Sequence, residues 1–392
     1  HNALIARASL IKFFPTDLHY SYLPIAHCYE HTLQHGLYAA GSRIVFVTNI
    51  PKMIEELIVV QPTFFVSTPR VYSRIYGKIK SEMINNPLFA IAMQIKLSLS
   101  NNNSTCDKIE ISKAKEKLGF KNVRFLLSSS TPVSYETKKY ISALTSVPLL
   151  EGYGITECGL VSLSNNLTDT VGPPLPDVEI KLVDLPQMEY LTTDKNPRGE
   201  IYVKRGPSVF KSYYNDSAFT FDAFKDGWYK TGDVGEWIKG ELKIIDRVKN
   251  IFKLAQGEYV APEKIENVLT SKYINQICVY GDSSRSYIVA IVVPDIEEIK
   301  KGYTGEIGDF ILNHIKDVSN EKKLSGLETV KKIIIDSEPF SIENGMFTPT
   351  FKLKRNEIKI KYKDQISQLY DNESIFIISA TFPQEQALKI LS

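Results

Sequence analysis

Asp233, Arg247, Lys249 and Lys253 lie within about twenty residues of one another. Gly232-Asp233 reads as a turn carrying one carboxylate, and Asp246-Arg247-Val248-Lys249 has no apolar periodicity of its own. Strand-like segments over 236–238 and 242–245, split by Lys239-Gly240, separate the two groups. Gly257 and a Pro-initiated amphipathic helix from Ala261 complete the stretch. A carboxylate, a guanidinium and two amines on turns suit a ligand that combines a ribose, a phosphate and a carboxylate.

A second group is more specific: Glu151-Gly152-Tyr153-Gly154-Ile155-Thr156-Glu157-Cys158-Gly159. Two glycines flank a tyrosine just after an apolar strand-like run, and a hydroxyl and a carboxylate follow. The glycines allow close backbone approach, the tyrosine offers a face to a flat base, and Thr156 and Glu157 suit phosphate and Mg²⁺. A plain strand-to-turn corner is the bland alternative. Ser128-Ser129-Ser130-Thr131-Pro132 is a third group, between a strand and a helix. Its hydroxyls and amides suit an anion or the edge of a purine, with Ser129 and Ser130 best placed. Capping of the helix by Ser or Thr before Pro132 explains the same residues equally well. His27, His31 and His35 recur every four residues on one helical face, a spacing that suits a metal. Flanking acidic ligands are scarce, with Glu30 pointing elsewhere, which favours a helix stripe with one functional histidine.

Several chemistries are missing from the sequence. There is no Gly-x-x-x-x-Gly-Lys-[Ser/Thr], no Gly-x-Gly-x-x-Gly after a strand, no Gly-x-Ser-x-Gly and no His-Glu-x-x-His. The four cysteines are far apart and none forms Cys-x-x-Cys, which argues against a disulfide framework or zinc ribbon and for a reducing compartment. Lysine plus arginine number 47 against 45 acidic residues, so bulk charge gives no reason to expect nucleic acid. No apolar run approaches the ~18 residues of a membrane span; residues 87–99 come nearest, interrupted by Gln94 and Lys96.

The elements that must position these groups fall into three textures. Over 1–170, helices alternate with strands: helices over 2–13, 27–40 and after Pro51, strands over 20–25, 43–47 and 63–67, then polar helices over 69–120 with a loop near 101–105. A strand over 123–128, a helix over 132–144 and a strand over 147–151 follow, a pattern that predicts a largely parallel sheet. Over 171–245 short strands at 178–183, 199–203, 236–238 and 242–245 predict a small β-barrel or twisted sheet. After a hinge at 246–249, residues 250–392 predict a compact α+β domain: a helix over 262–270, strands over 276–281, 287–293 and 332–335, helices within 296–330, and a basic tail at 351–355. The opening His1-Asn2-Ala3-Leu4 reads as a helix already under way, so a preceding part is expected.

Three motifs in this order resemble the adenylate-forming superfamily. They are Tyr153-Gly154-x-Thr156-Glu157, Tyr229-Lys230-Thr231-Gly232-Asp233, and Asp246-Arg247-x-Lys249 followed by Gly257-Glu258-Tyr259-Val260-Ala261-Pro262-Glu263-Lys264-Ile265-Glu266. Leu23-Pro24-Ile25-Ala26-His27-x-x-Glu30, Ile251-Phe252-Lys253-Leu254-Ala255-Gln256-Gly257-Glu258-Tyr259 and Phe347-Thr348-Pro349-Thr350-x-Lys352-x-Lys354-Arg355 look like eukaryotic long-chain acyl-CoA synthetases. The resemblance covers essentially the whole chain. It implies a large α/β domain with a β-barrel subdomain and a smaller mobile α+β domain. The implied reaction activates a fatty carboxylate with Mg·ATP to an acyl-adenylate and pyrophosphate, then transfers the acyl group to coenzyme A. Positioning and charge neutralisation suffice, so no nucleophilic side chain is expected.

Carried over residue by residue, the resemblance makes Asp233 the carboxylate on both ribose hydroxyls and Arg247 an arginine reaching ribose or phosphate. Glu157 resembles the Mg²⁺ ligand and Thr156 an α-phosphate contact. Tyr153 would stack on adenine, with Glu151, Gly152, Ser129 and Ser130 lining that pocket. His27 resembles the histidine beside the acyl carboxylate. Lys352 aligns best with the lysine bridging carboxylate and phosphate in adenylation; Lys354 is the other candidate. Asp246 and Lys249 sit at the hinge, Lys249 also among the nucleotide-binding positions, and Lys253, Gly257 and Tyr259 lie on the face that serves the thioester step. Arg70, in Thr68-Pro69-Arg70, matches the family without an assigned role. Two departures stand out. Serines occupy 128–130 where the family has a glycine and small residues. The phosphate loop ending in Pro-Lys-Gly would lie upstream of His1, so this chain alone is expected to bind ATP poorly. The resemblance also implies peripheral association with endoplasmic reticulum or another membrane, otherwise a cytoplasmic location. The alternatives are an adenylate-former for a medium-chain, very-long-chain or aryl acid, and a non-catalytic acyl-lipid binding or interaction module lacking that loop.

Overall fold

The structure is a computed structural model that describes residues 12–98, 105–130, 133–165, 167–204, 206–349 and 351–379. The predicted helix over 2–13 and the loop near 101–105 lie largely outside the described residues, as do Thr131, Pro132 and the Arg70 side chain. Two compact units emerge. The first is His1–Leu185 with Tyr190–Thr231 and Gly235–Ile244; the second is Ile245–Ser392 with Pro186–Glu189 and Gly232–Val234.

The first unit is built on a six-stranded sheet. In spatial order its strands are Arg43–Phe46, Leu18–Ser21, Phe64–Ser67, Phe125–Ser128, Leu149–Ile155 and Gly159–Leu163. The first five run parallel, and the last returns antiparallel to Leu149–Ile155. Parallel strands covered by helices need apolar residues on both faces, and Phe64, Phe65 and Val66 are all buried. Helices Pro69–Asn85, Pro87–Ser98, Thr105–Lys117 and Tyr135–Thr145 pack against this sheet through Tyr72, Ile75, Ile79, Phe89, Met93 and Ile141. A five-stranded sheet joins Glu241–Arg247, Trp228–Ile238, Arg198–Lys204 and Ile180–Val183, with Phe224–Lys225 paired onto Trp228–Ile238.

Several boundaries differ from the sequence-based expectations, each for a local reason. The first described strand is Leu18–Ser21 rather than 20–25, because Pro24 and the turn before the following helix end it. The helix expected over 132–144 begins at Tyr135, and Ser134 is its cap, its hydroxyl accepting the Thr137 N–H at 3.2 Å. Capping therefore does not explain 128–130. Residues 152–155 continue their strand instead of leaving it, since Gly154 lets the chain pass close to Gly159. Gly232-Asp233 lies inside the eleven-residue strand Trp228–Ile238, and Asp246-Arg247 ends the strand Glu241–Arg247. Between those strands Lys239 (φ 51°) and Gly240 (φ 85°) both take the left-handed region, as a two-residue hairpin turn requires.

In the second unit, strands Ile274–Tyr280, Val289–Pro294, Lys332–Ile335 and Phe376–Ile378 form one sheet in that order. The last strand was not foreseen; three residues give too short a period to read. Helices Pro262–Leu269 and Ile307–Glu321 cover one face through Ile265, Leu269, Ile311 and Ile315. Helices Arg355–Lys361 and Lys363–Asp371 pack through Ile358, Tyr362, Ile366 and Leu369.

Candidate active site

The parallel strands of the first unit bring three groups to one edge of the sheet. Ser67 pairs with Ser128, and Ser128 with Glu151, so the chain leaves all three strands at the same level. In open α/β sheets that carboxyl-end edge is where ligands bind. Ser129 and Ser130 follow directly. Ser130 has φ 93°, a backbone conformation that favours glycine, so the serine keeps the shape a glycine would have there at some cost in strain. The Ser128 hydroxyl is buried, with no hydrogen-bond partner among the described residues.

Glu151 is fully engaged. Its Oε1 accepts the Val133 N–H at 2.7 Å and its Oε2 the Lys138 ammonium at 2.5 Å, and Lys138 also donates to the Thr168 carbonyl. Burial holds the Glu151 carboxyl above its ordinary range, against the opposing pull of Lys138 and of the Val133 amide. Its carboxylate thus ties the segment after Ser130 to the strand and the following helix. Lys138 carried no signal in the sequence, where an amphipathic helix normally spends its lysines on the solvent face.

Around the tyrosine the glycines serve packing. A Cβ on Gly154 would stand 2.5 Å from the Gly159 carbonyl oxygen, and one on Gly152 would stand 2.9 Å from a Leu160 methyl. Tyr153 is 8% exposed and belongs to an apolar cluster with Cys158, Val161 and Tyr229. Thr156 is exposed, and its hydroxyl lies 3.6 Å from the Cys28 thiol. That contact brings the helix Cys28–Ala40, which begins next to His27, beside the Tyr153–Glu157 segment. Glu157 accepts the Tyr213 hydroxyl at 2.8 Å on Oε1, and Tyr213 lies 3.2 Å from the Tyr229 hydroxyl. The Glu157 carbonyl also accepts the Phe210 N–H. Burial, then the Tyr213 bond and the Glu157 charge, raise the Tyr229 pKa. Tyr213 was missed in the sequence because 56 residues separate it from Glu157.

His27 is the N-cap of the helix Cys28–Ala40. Its Nδ1 accepts the Tyr29 N–H at 3.2 Å, which leaves Nε2 to carry the proton of the neutral ring. Three residues on, Glu30 is buried and accepts the Ser21 hydroxyl (2.6 Å) and the Gln34 amide (2.9 Å), with His19 Nε2 at 3.0 Å. Burial opposes the Glu30 charge, but these partners, His19 foremost, hold its carboxyl below the ordinary range. The first turn of the helix presenting His27 is therefore anchored to the strand Leu18–Ser21.

The remaining candidates lie in the second unit. Asp233 is buried and its Oδ1 stands 3.2 Å from Arg247 Nε. The Val248 N–H donates to the Gly232 carbonyl, where Gly232 (φ 70°) adopts a conformation suited to glycine. Next to this pair Asp246 accepts the Arg247 N–H (2.7 Å), the Asn250 amide (3.2 Å) and the Glu263 N–H (2.8 Å). Burial, reinforced by the Glu263 charge, pushes its carboxyl up to about 7. Lys249 is exposed in the turn that follows. Lys253 and Tyr259 are register partners in a small hairpin, the ammonium 5.4 Å from the ring centroid, and Gly257 (φ 94°) makes its turn. Lys352 sits in a tight loop closed by its own N–H to the Thr348 hydroxyl and by the Thr348 N–H to its carbonyl. Lys354 instead occupies the N-cap position of the helix Arg355–Lys361, with no side-chain cap hydrogen bond among the described residues. Arg355 chelates Glu266 through two 2.7 Å bonds, an anchor unseen in the sequence.

A carboxylate with one oxygen still available at Glu157 fits a Mg²⁺ ion that is otherwise held by phosphates and water. Among the described residues no three His, Cys, Asp or Glu side chains group to hold a metal without a ligand.

Known proteins resemble this chain. Residues 1–214 match the family model described as AMP-binding enzyme, and residues 249–374 that of the AMP-binding enzyme C-terminal domain. Long chain acyl-CoA synthetase 7, peroxisomal, of Arabidopsis thaliana is 41% identical over 92% of this chain and 56% of its own length. Fatty acyl-CoA synthetase B of Dictyostelium discoideum is 39% identical over 94% and 59%, respectively. Long-chain-fatty-acid–CoA ligase 5 of Rattus norvegicus is 36% identical over 95% and 59%. The chain thus spans less than three-fifths of the length of these curated relatives. Among solved structures, the adenylation domain of a carboxylate reductase from Mycobacterium chelonae superposes with a TM-score of 0.79 at 29% identity, covering 91% of this chain and 54% of that one. That of a carboxylic acid reductase from Segniliparus rugosus, in complex with AMP and a co-purified carboxylic acid, gives 0.77 at 31% identity over 91% and 54%. The chain belongs to the AMP-binding enzyme family, with the adenylate-forming fold, and its curated relatives are long-chain acyl-CoA synthetases.

Proposed function

We propose that the protein carrying this chain activates long-chain fatty acids, using ATP and coenzyme A. The observation that supports this reading is the meeting of His27, Thr156 and Glu157 beside the carboxyl ends of the parallel strands, through the Cys28–Thr156 contact. The acid's carboxylate oxygen forms a bond to the α-phosphorus of ATP, and the bond to pyrophosphate breaks with its electron pair leaving on pyrophosphate. The thiol of coenzyme A then attacks the acyl carbon, its proton passes to solvent, and AMP leaves. Charge develops on phosphate oxygens in the first step and on the acyl oxygen in the second, so preorganised donors are what the protein must supply.

In this reading Asp233 accepts both ribose hydroxyls, and its ion pair with Arg247 orients it for that task. Thr156 donates to the α-phosphate, Ser129 and Ser130 with Gly152 and Glu151 shape the base pocket, and Tyr153 forms its wall. His27 donates through Nε2 to the acyl carboxylate. Glu157, oriented by Tyr213, holds the Mg²⁺ of Mg·ATP, which when bound screens phosphate charge. Lys352 serves adenylation. Lys253, Gly257 and Tyr259 serve thioester formation, with Asp246 and Lys249 as the hinge. The domains are then 1–170, 171–245 and 250–392 about a hinge at 246–249.

Acid-dependent exchange of pyrophosphate into ATP, followed by consumption of coenzyme A across acids of rising chain length, tests the reading. Exchange and thioester formation that peak with long-chain acids are expected. Exchange with aryl or short acids alone would replace the substrate class, and no exchange with any acid in the full reading frame would overturn the activity. No described helix is long and apolar enough to cross a membrane. Peripheral attachment to endoplasmic reticulum or another membrane is the proposed location, with a cytoplasmic one otherwise.

A further inference from the structure

The helix Cys28–Ala40 carries two imidazoles one turn apart that the activity above does not use. His31 is exposed and His35 half-buried; their Nε2 atoms lie 3.0 Å apart, with ring centroids at 4.6 Å and planes inclined by 61°. We propose that His31 and His35 form a two-imidazole clamp for a divalent transition-metal ion such as Zn²⁺, Ni²⁺ or Cu²⁺.

The geometry carries this. Imidazole nitrogens bind Zn²⁺ at about 2.0–2.1 Å. At such lengths two nitrogens 3.0 Å apart subtend roughly 94° at the metal, between the right angle of cis octahedral or square-planar sites and the tetrahedral angle. An ion at that distance from both nitrogens needs no change in their separation. Residues four apart on a helix share a face, so backbone hydrogen bonding holds the pair in place before any ion arrives. As a bare hydrogen bond the same contact needs one neutral ring to donate and the other to accept, and at an exposed position water replaces it at little cost.

The chemistry limits the ligand. Imidazole prefers borderline transition ions and has little affinity for Mg²⁺ or Ca²⁺, which seek oxygen. Among the described residues no third His, Cys, Asp or Glu joins the pair. A two-histidine site of this kind has the affinity of a chelate rather than of a closed structural zinc site. His27 shares the four-residue spacing, but its ring turns back to the Tyr29 N–H as the helix cap. A bound ion links successive turns of the helix that His27 caps, so binding also resists unfolding of that helix.

Titration of the metal-stripped chain with Zn²⁺, followed by calorimetry or a competing zinc indicator, tests the proposal. One Zn²⁺ per chain is expected at this pair, with a rise in melting temperature. His31→Ala and His35→Ala should each weaken binding at least about tenfold while the metal-free variants melt as the parent does. Excess Mg²⁺ should not compete. Zn²⁺ binding of parental affinity in either variant, displacement by Mg²⁺, or no binding at all would each overturn the clamp; the last would leave a hydrogen-bonded imidazole pair only. The readout is metal binding itself, so it is independent of the fatty-acid reading.

Discussion

Asp246 is 1% exposed, yet three hydrogen-bond donors surround it. Its carboxyl is pushed up to about 7 from an ordinary 3.8 by burial and by Glu263. The folded state therefore holds a proton that the unfolded chain releases at lower pH. The stability this group contributes is complete below the ordinary aspartate range and is lost as pH rises through the folded value. Melting temperatures of the parent and of Asp246→Asn should diverge accordingly. The parent should lose stability relative to the variant between about pH 4 and about pH 7, because the amide cannot ionise. Parallel curves would assign the titration elsewhere. Lys138 and Glu151 pose the reverse case, two opposite charges buried together. Lys138→Met leaves the Glu151 carboxylate uncompensated and should cost about 3–5 kcal/mol in denaturant unfolding. Adding Glu151→Gln should recover part of that loss, since the stranded charge goes with it.

At the scale of elements, the fold was readable wherever one period ran long enough. The helix from Cys28, the strand from Arg43 and the helix from Pro262 stand where apolar spacing and caps placed them. Local signals failed where glycine has two meanings. Gly232-Asp233 reads as a turn, because glycine is the usual turn residue, and Gly152-Tyr153-Gly154 reads as a segment after the end of its strand. In both places the strand continues, and Gly154 is there because another backbone passes close by. Gly154→Ala should therefore destabilise the chain by about 1–3 kcal/mol, since its Cβ meets a carbonyl oxygen that cannot yield. Gly152→Ala meets side-chain ends, closest that of Leu160, rather than backbone, and should cost less. Equal losses by chemical denaturation would mean that the hairpin absorbs either methyl. The candidate site was legible in its residue types, but its supports were not. Lys138, Tyr213, Asn250 and Arg355 reach their partners across 13, 56, 4 and 89 residues, and only the last of the short spacings resembles a helical pair. Contacts of that kind follow from the folded arrangement and leave no periodic trace.

At the scale of the whole molecule, the second unit carries two separate sets of candidates. Lys352 sits in the loop closed by Thr348, while Lys253 and Tyr259 face each other across a hairpin. On the proposed function, two chemically distinct steps would give a reason for two sets: Lys352 would assist adenylation, and the Lys253–Tyr259 surface would serve the thiol's attack. Lys352→Ala should then slow acid-dependent pyrophosphate exchange by about 10²–10³, the scale of losing one charge-stabilising donor. It should spare attack of coenzyme A on preformed acyl-adenylate. Lys249→Pro tests the join. Lys249 is exposed in a turn, and no backbone hydrogen bond from its N–H is found among the described residues, so proline there removes freedom of φ rather than a bond. If one unit must present each set in turn, this variant should keep exchange near the parental rate and slow the complete reaction, leaving acyl-adenylate to accumulate. Measuring both half-reactions on both variants separates the ideas. Equal loss of both steps in Lys352→Ala would sink the division of labour between the lysines, whereas loss of exchange in Lys249→Pro would place that residue in nucleotide binding and remove it from the hinge.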